Sequence, residues 1–100
     1  MQSYTHGLLF DVVSRRVWVH KSEVAIADSE FSLLLALLHA HGQVVSREDL
    51  LKKAWGYEDS GDTRLLSVSI ARLRAVLEDN PQMPQRIQTI RGGGYRLVLH

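Results

Sequence analysis

The segment Arg64–Leu77 reads RLLSVSIARLRAVL and separates its leucines from its arginines at helical spacing. Four apolar residues fall within one narrow sector of a helix that turns about 100° per residue; they are Leu66, Ile70, Leu73 and Leu77. The opposite face carries arginine and small residues, with Arg74 on a flank: Arg64, Val68, Ala71, Arg72 and Ala75. No acidic residue lies between Arg64 and Leu77. The segment therefore predicts an amphipathic helix with a leucine side for the core and a cationic outer side.

Polar and proline-containing stretches set the limits of this helix. Residues 57–62 are polar and contain a glycine, which predicts a loop, and Asp62 or Thr63 is the expected N-cap. The helix runs to about Glu78, before Asn80-Pro81 prevents its continuation.

Two further helices are predicted upstream. Between Asp28 and Ala40, large apolar side chains recur at i, i+3, i+4 and i+7, with Asp28 as the expected N-cap. Ser46 is typical of another N-cap, and the helix that it begins runs to about Ala54. The second and third helices, joined by a long loop, indicate a helix-turn-helix unit.

Strands flank the helices on both sides. The β-prone runs at the start of the chain are residues 7–12, 15–20 and 23–26, with a short opening strand at 3–5. At the end, residues 86–90 alternate in polarity, Arg91-Gly92-Gly93-Gly94 forms a turn, and residues 95–99 return. The order predicts an α+β fold with an antiparallel sheet, a three-helix core and a C-terminal hairpin.

Composition narrows the class of protein. The length of 100 residues, with 45% apolar and 23% charged, predicts one globular domain over residues 1–100. No apolar run approaches the 18 or so residues of a membrane span. The lack of cysteine excludes disulfides and thiolate metal sites, and it fits a reducing, cytoplasmic setting. No pattern predicts a cofactor, a metal site or an enzyme: the two nearest histidines, His39 and His41, have the wrong spacing for one helix face.

Charge is divided unevenly along the chain. Residues 1–63 carry six basic and nine acidic side chains, a net charge of −3, whereas residues 64–100 carry six basic and two acidic ones, a net charge of +4. All six basic residues of the second part are arginines, which suit phosphates and guanine edges better than lysines do. The ordinary alternative for each arginine is a solvated or ion-paired surface position.

Taken together, the acid-free helix and the hairpin indicate binding to double-stranded DNA. Ala71 and Ala75 let a helix backbone approach base edges in the major groove, where Arg72 can reach guanine O6 and N7. Arg64, near the helix N-terminus, favours a phosphate. Arg91, at the hairpin tip, suits a narrow minor groove.

Five motifs resemble, in order and spacing, the OmpR/PhoB-type winged-helix domain, the DNA-binding output domain of two-component response regulators. The matching motifs are residues 30–34 (EFSLL), 44–51 (VVSREDLL), 55–56 (WG), 68–74 (VSIARLR) and 87–96 (IQTIRGGGYR). The resemblance covers about Gly7 to Leu99. It implies a winged helix-turn-helix fold in which the third helix reads DNA and the hairpin is the wing.

Residue roles follow from this resemblance position by position. Arg72 matches a base-contacting position, Val68 one that packs on a thymine methyl, and Arg64, Ser69 and Arg74 match positions near the DNA backbone. In the wing, Arg91 matches a minor-groove arginine and Thr89 a phosphate contact, beside Gly92 and Gly93 at the turn. Arg47 and Trp55 match backbone contacts of the second helix, although plain core packing explains Trp55 equally well. The loop residues Tyr57, Glu58, Asp59 and Ser60 match a segment through which some members touch RNA polymerase.

The chain also departs from the family pattern. Ala27 stands where members have a capping threonine, so the cap is expected to pass to Asp28 or Ser29. Ser67 replaces a usual aspartate, which leads us to expect that Arg74 lacks its ionic partner and is freer to bind phosphate. Members carry an N-terminal receiver domain, and no such domain fits before Tyr4 here. We therefore expect either the isolated output domain of a longer protein, which we favour, or a stand-alone variant, and we expect the domain alone to be mostly monomeric. The alternative function is a winged-helix module that binds proteins and not DNA.

Overall fold

The computed structural model describes residues 2–5, 7–56 and 64–99 of the protein. Its elements, in chain order, are strands β1 (Gln2–Thr5), β2 (Leu8–Asp11), β3 (Arg16–Val19) and β4 (Ser22–Val24), helices α1 (Asp28–His39), α2 (Arg47–Trp55) and α3 (Arg64–Leu77), and strands β5 (Ile87–Ile90) and β6 (Gly94–Leu97). The predicted order of sheet, helices and hairpin is confirmed. Within those residues, no helix is both long enough and apolar enough to cross a bilayer.

The first four strands form one antiparallel sheet in the order β1-β2-β3-β4. Phe10 pairs with Val17 across β2 and β3, and both side chains are buried together with Leu8. Because side chains alternate across a strand, this face covers the core and leaves Trp18 on the outer face. Trp18 is half-buried there beneath the guanidinium of Arg16, 5.1 Å from its ring centroid.

Helix α1 begins without the side-chain cap that the sequence predicts. Its N-cap is Ala27, whose side chain has no acceptor, so the expected capping by Asp28 or Ser29 is wrong. The Glu30 carboxylate accepts the Ala27 N–H at 3.0 Å, which is one half of a capping box. Arg15, in the β2–β3 turn, donates to Asp28 Oδ1 at 2.6 Å and to the Asp28 carbonyl at 2.9 Å. The Asp28 side chain is therefore occupied by an arginine from the sheet and not by the helix.

Helix α2 has the ends that the sequence predicts, within a residue. The Ser46 hydroxyl accepts the Asp49 N–H at 3.1 Å and caps the first turn. At the other end, Gly56 adopts a left-handed conformation with φ +77°, and its N–H bonds to the Lys52 carbonyl.

Helix α3 anchors the core with the four residues on its predicted inner face. Leu66, Ile70, Leu73 and Leu77 are all buried, at 0–1% exposure. The core that they join also contains apolar side chains from the sheet, the other helices and the wing, among them Phe10, Phe31, Leu34, Leu50, Leu51 and Ile87.

The segment after α3 is fixed by one carboxylate. Glu78 is 7% exposed, and its side chain accepts backbone N–H groups from Gln85 at 2.9 Å, Arg86 at 3.0 Å and Ile87 at 2.7 Å. Arg86 in turn donates to the Leu77 carbonyl at 2.7 Å. The Glu78 carboxylate and the Leu77 carbonyl, at the end of α3, therefore set where β5 begins.

The wing is docked on the segment that precedes α2. Strands β5 and β6 pair antiparallel, and Tyr95 of β6 also exchanges two backbone hydrogen bonds with Val45, at 2.8 and 3.0 Å. A Cβ at Gly94 would collide with the Val45 carbonyl oxygen and lie 2.9 Å from Ser46 Cα. Glycine at this position therefore allows the close approach of the two backbones.

Candidate nucleic-acid interface

The outer face of α3 is exposed and free of acidic side chains. Arg64, Ala71, Arg72 and Ala75 are all exposed, and Val68 is 47% exposed. The small side chains of Ala71 and Ala75 let a partner approach the backbone of α3 closely. The longer side chain of Arg72 can then reach groups on that partner. The structure brings together these five of the seven sequence-predicted residues of this helix.

Ser69 differs from the prediction of a backbone-contacting residue. Its side chain is 4% exposed. At helical spacing, Ser69 lies about 60° from Leu66 and about 40° from Leu73, which places it at the edge of the core face. Its burial removes Ser69 from the surface offered to a partner.

Arg74 also differs from the prediction, because it is half-buried and its guanidinium is engaged. Its Nε and Nη2 donate to the Ile87 carbonyl at 3.1 and 2.9 Å, and Nη2 donates to Thr89 Oγ1 at 2.7 Å. The expectation that Arg74 is freer in the absence of an aspartate partner is wrong, since the wing supplies neutral acceptors in its place. These bonds join α3 directly to β5.

The predicted residues of the wing differ in solvent exposure. Thr89, Arg91 and Gly92 are exposed, and Gly92 adopts φ +77° in the turn. Gly93 is half-buried, and a Cβ there would lie 3.3 Å from Val44 Cγ1. The tip of the hairpin therefore exposes the Arg91 side chain beside a tight turn, which the positive φ of Gly92 permits.

The two predicted residues of α2 have different surroundings. Arg47 is half-buried, with its guanidinium 5.6 Å from the centre of the Tyr95 ring. Trp55 is half-buried and packs against the hydrophobic core, which favours the core-packing interpretation of this residue. The loop residues Tyr57, Glu58, Asp59 and Ser60, and the expected caps Asp62 and Thr63, lie outside the described residues.

Sequence reasoning missed the role of Tyr95. Tyr95 is 5% exposed, and two guanidinium groups lie over its ring, that of Arg47 at 5.6 Å and that of Arg74 at 5.9 Å from the ring centroid. Such contacts stabilise cations over aromatic faces. The signal was the tyrosine in the motif GGGYR at residues 92–96, but which side chains stack on it depends on the tertiary docking of the wing.

Two exposed apolar residues near this surface were also missed. Leu65 is 41% exposed and Val44 is 43% exposed. Leu65 is the second residue of α3 and is offset by about 100° from Leu66, so the helical period places it off the core face.

An ionic cluster lies at the C-terminal end of α3. His20 Nε2 lies 3.0 Å from Asp79 Oδ1, and Arg86 Nη1 lies 3.8 Å from the same oxygen. The hydrogen bond from His20, assisted by the nearby charge of Arg86, holds the pKa of the Asp79 carboxyl below its ordinary value. This cluster ties the β3–β4 turn to the segment before the wing.

Comparison with known proteins identifies the family. The family model for the C-terminal domain of transcriptional regulatory proteins matches residues 21–97. The chain is 45% identical over 83 residues to the DNA-binding dual master transcriptional regulator RpaA of Synechocystis, covering 83% of this chain and 34% of that protein. It is 41% identical over 86 residues to the DNA-binding response regulator MtrA of Mycolicibacterium smegmatis, covering 86% of this chain and 38% of that protein. The chain thus spans little more than a third of these relatives.

Solved structures share the fold over nearly the whole chain. The RstA DNA-binding domain of Klebsiella pneumoniae, solved in complex with the RstA box, superposes with a TM-score of 0.86 at 35% identity, covering 96% of this chain and 95% of that one. The response regulator DrrB of Thermotoga maritima, an OmpR/PhoB homologue, gives a TM-score of 0.85 at 32% identity, covering 96% of this chain and 43% of that one. The chain therefore belongs to the OmpR/PhoB-type family of winged-helix C-terminal domains of transcriptional regulatory proteins.

Proposed function

We propose that the chain binds double-stranded DNA in a sequence-specific way, as the output domain of a two-component response regulator that controls transcription. The observation that carries the proposal is the link between α3 and the wing. Arg74 joins them through Ile87 and Thr89, so an acid-free exposed helix face adjoins a hairpin with an exposed arginine at its tip.

The two elements suit different parts of a duplex. Helix α3 fits the major groove, where Arg72 donates two hydrogen bonds to one guanine and Val68 packs against a thymine methyl. Arg91 at the wing tip enters the adjacent minor groove, whose negative potential is strongest over A·T-rich sequence. Arg64 and Arg47 neutralise phosphates on either side and fix the register without reading bases.

The relatives support this function. RpaA and MtrA are named as DNA-binding regulators, and the RstA domain, which has the same fold at 35% identity, was solved on its DNA box. The exposed face of α3 and the wing tip are the parts of this chain whose chemistry fits such a ligand.

Other partners belong to the proposal as well. In a full-length regulator of this kind, we propose that a receiver domain drives pairing on direct-repeat half-sites. We also propose that Tyr57, Glu58, Asp59 and Ser60 contact RNA polymerase, in the cytoplasm. The domain alone is then mostly a monomer that binds one half-site weakly. Sedimentation that finds a tight dimer of this chain alone would contradict that part.

Selection from a pool of random duplexes tests the proposed function directly. A common sequence should emerge, and affinity for it should fall steeply with salt, with a log–log slope of about −0.9 for each neutralised phosphate. Recovery of unrelated sequences, or an affinity that does not depend on salt, would favour the alternative of a protein-binding module.

A further inference from the structure

We propose that Arg74 is a positioning residue, which orients the Thr89 hydroxyl so that this hydroxyl donates to a DNA phosphate. The inference rests on the proposed function. It assigns to Arg74 a role within the protein, between α3 and the wing, in place of the direct contact with the DNA backbone that the family resemblance implies.

One edge of the Arg74 guanidinium is hydrogen-bonded to the wing. Nε and Nη2 both donate to the Ile87 carbonyl, and Nη2 also donates to Thr89 Oγ1 at 2.7 Å. Arg74 Cζ lies over the Tyr95 ring, 5.9 Å from its centroid, and this contact further restrains the guanidinium. A planar group held by hydrogen bonds and an aromatic ring has little freedom to turn toward another acceptor.

The consequence for Thr89 follows from hydrogen-bond polarity. Arginine has no acceptor, so the Thr89 oxygen must accept from Arg74, and the hydroxyl hydrogen must point elsewhere. Thr89 is exposed, and among the described residues its hydroxyl donates to no protein group. The hydroxyl is thus already polarised by a cation and directed outward as a donor, which is the arrangement that a phosphate oxygen requires.

A double-mutant cycle read out by salt dependence tests the assignment. Affinity for the selected duplex is measured at several salt concentrations for the parent, Thr89→Val, Arg74→Gln and the double variant. We expect each single variant to bind about tenfold more weakly, because a hydrogen bond to a charged group is lost. The double variant should bind no more weakly than Arg74→Gln, and the salt slope of Arg74→Gln should equal that of the parent, since a hydroxyl releases no counterion.

The rival assignment, direct phosphate binding by Arg74, gives a different result. Arg74→Gln would then reduce the magnitude of the salt slope by about 0.9, and Thr89→Val would have its full effect in either background. That outcome overturns the inference while leaving the proposed function intact. Failure of the parent to bind any duplex would instead overturn the proposed function.

Two further variants keep the test decisive if Arg74→Gln does not fold. Thr89→Ser retains the hydroxyl and should recover most of the affinity that Thr89→Val loses. Arg74→Lys retains the charge but not the planar pair of donors. If Arg74 positions Thr89, adding Thr89→Val to Arg74→Lys changes affinity little; a full tenfold further loss would overturn the inference.

Discussion

The carboxylate of Glu78 accepts the backbone N–H of Ile87 at 2.7 Å, so the residue after α3 determines where the first strand of the wing begins. The same carboxylate accepts the N–H groups of Gln85 and Arg86. We expect Glu78→Ala to lower the free energy of unfolding by about 3 kcal/mol, because it leaves buried donors without an acceptor. Urea denaturation measures the loss. Glu78→Gln keeps one acceptor oxygen and should cost less; equal losses would show that the acceptor is not the cause.

Arg72 and Arg64 should respond differently to truncation, because one is placed to read a base and the other to neutralise a phosphate. Arg72→Ala should weaken binding to the selected duplex by about 1–3 kcal/mol and relax the preference at one base pair. Arg64→Ala should weaken binding to selected and random duplexes to a similar extent. Competition titrations with both kinds of DNA measure the two effects. Equal losses on both duplexes for Arg72→Ala would show that Arg72 does not read bases.

Alanine substitution of the two wing glycines Gly92 and Gly94 should lower stability to different extents. Gly94→Ala should destabilise the protein strongly, because its Cβ would collide with the Val45 carbonyl and φ there is +141°. Gly92 also has a positive φ, +77°, but no atom lies within 4 Å of an added Cβ, so Gly92→Ala should cost only about 1 kcal/mol. Thermal unfolding of both variants checks the contrast, and an equal shift in Tm would show that the docking of the wing does not depend on close backbone approach.

The Asp79 carboxyl predicts an acid-sensitive contribution to stability. Its folded-state pKa lies below the ordinary value because His20 donates to it and Arg86 lies nearby. A lowered folded-state pKa stabilises the fold above the ordinary value of about 4, and this contribution is lost as the pH falls through the folded-state pKa. Asp79→Asn should therefore flatten the decline in unfolding free energy below about pH 4. Denaturation at a series of pH values measures the unfolding free energy of both proteins. If the value for Asp79→Asn declines as steeply as that of the parent, the Asp79 carboxyl does not contribute to stability in this way.

The first turn of α1 can be improved at a single position. Ala27 has the extended backbone of an N-cap, with φ −72° and ψ 156°, but its side chain offers no acceptor. Ala27→Ser should add a hydrogen bond to the first turn and raise the free energy of unfolding by about 1 kcal/mol. Ala25→Ser, two residues earlier in the exposed connection, is the matched control and should change little. No gain at Ala27 would mean that the first-turn N–H groups of α1 do not need a side-chain acceptor at this position.

Helical periodicity was enough to predict which side of α3 faces the core, because Leu66, Ile70 and Leu73 recur at helical spacing and form a single apolar face. Periodicity did not predict the burial of Ser69, since a small residue at the edge of the apolar sector can lie on either side. Its position depends on how closely the neighbouring elements pack.

The roles of Arg74 and Asp28 could not be read from local sequence, because their partners are distant along the chain. Arg74 bonds to acceptors 13 and 15 residues away, and the start of α1 is held by Arg15 from the preceding sheet. A charge pattern shows that an arginine is present, whereas only the folded arrangement decides whether its donors face a partner or a neighbouring strand.

The backbone pair between Val45 and Tyr95 adds a single bridge between the two-stranded wing and the segment before α2. An isolated two-stranded hairpin is marginal in water, so the β5–β6 ribbon depends on a neighbour that belongs to the entry of α2. The wing and the start of α2 should therefore open and close as one cooperative unit. Any force that DNA exerts on the hairpin tip is then transmitted to the scaffold through peptide groups as well as side chains, which gives the minor-groove contact a stiff support.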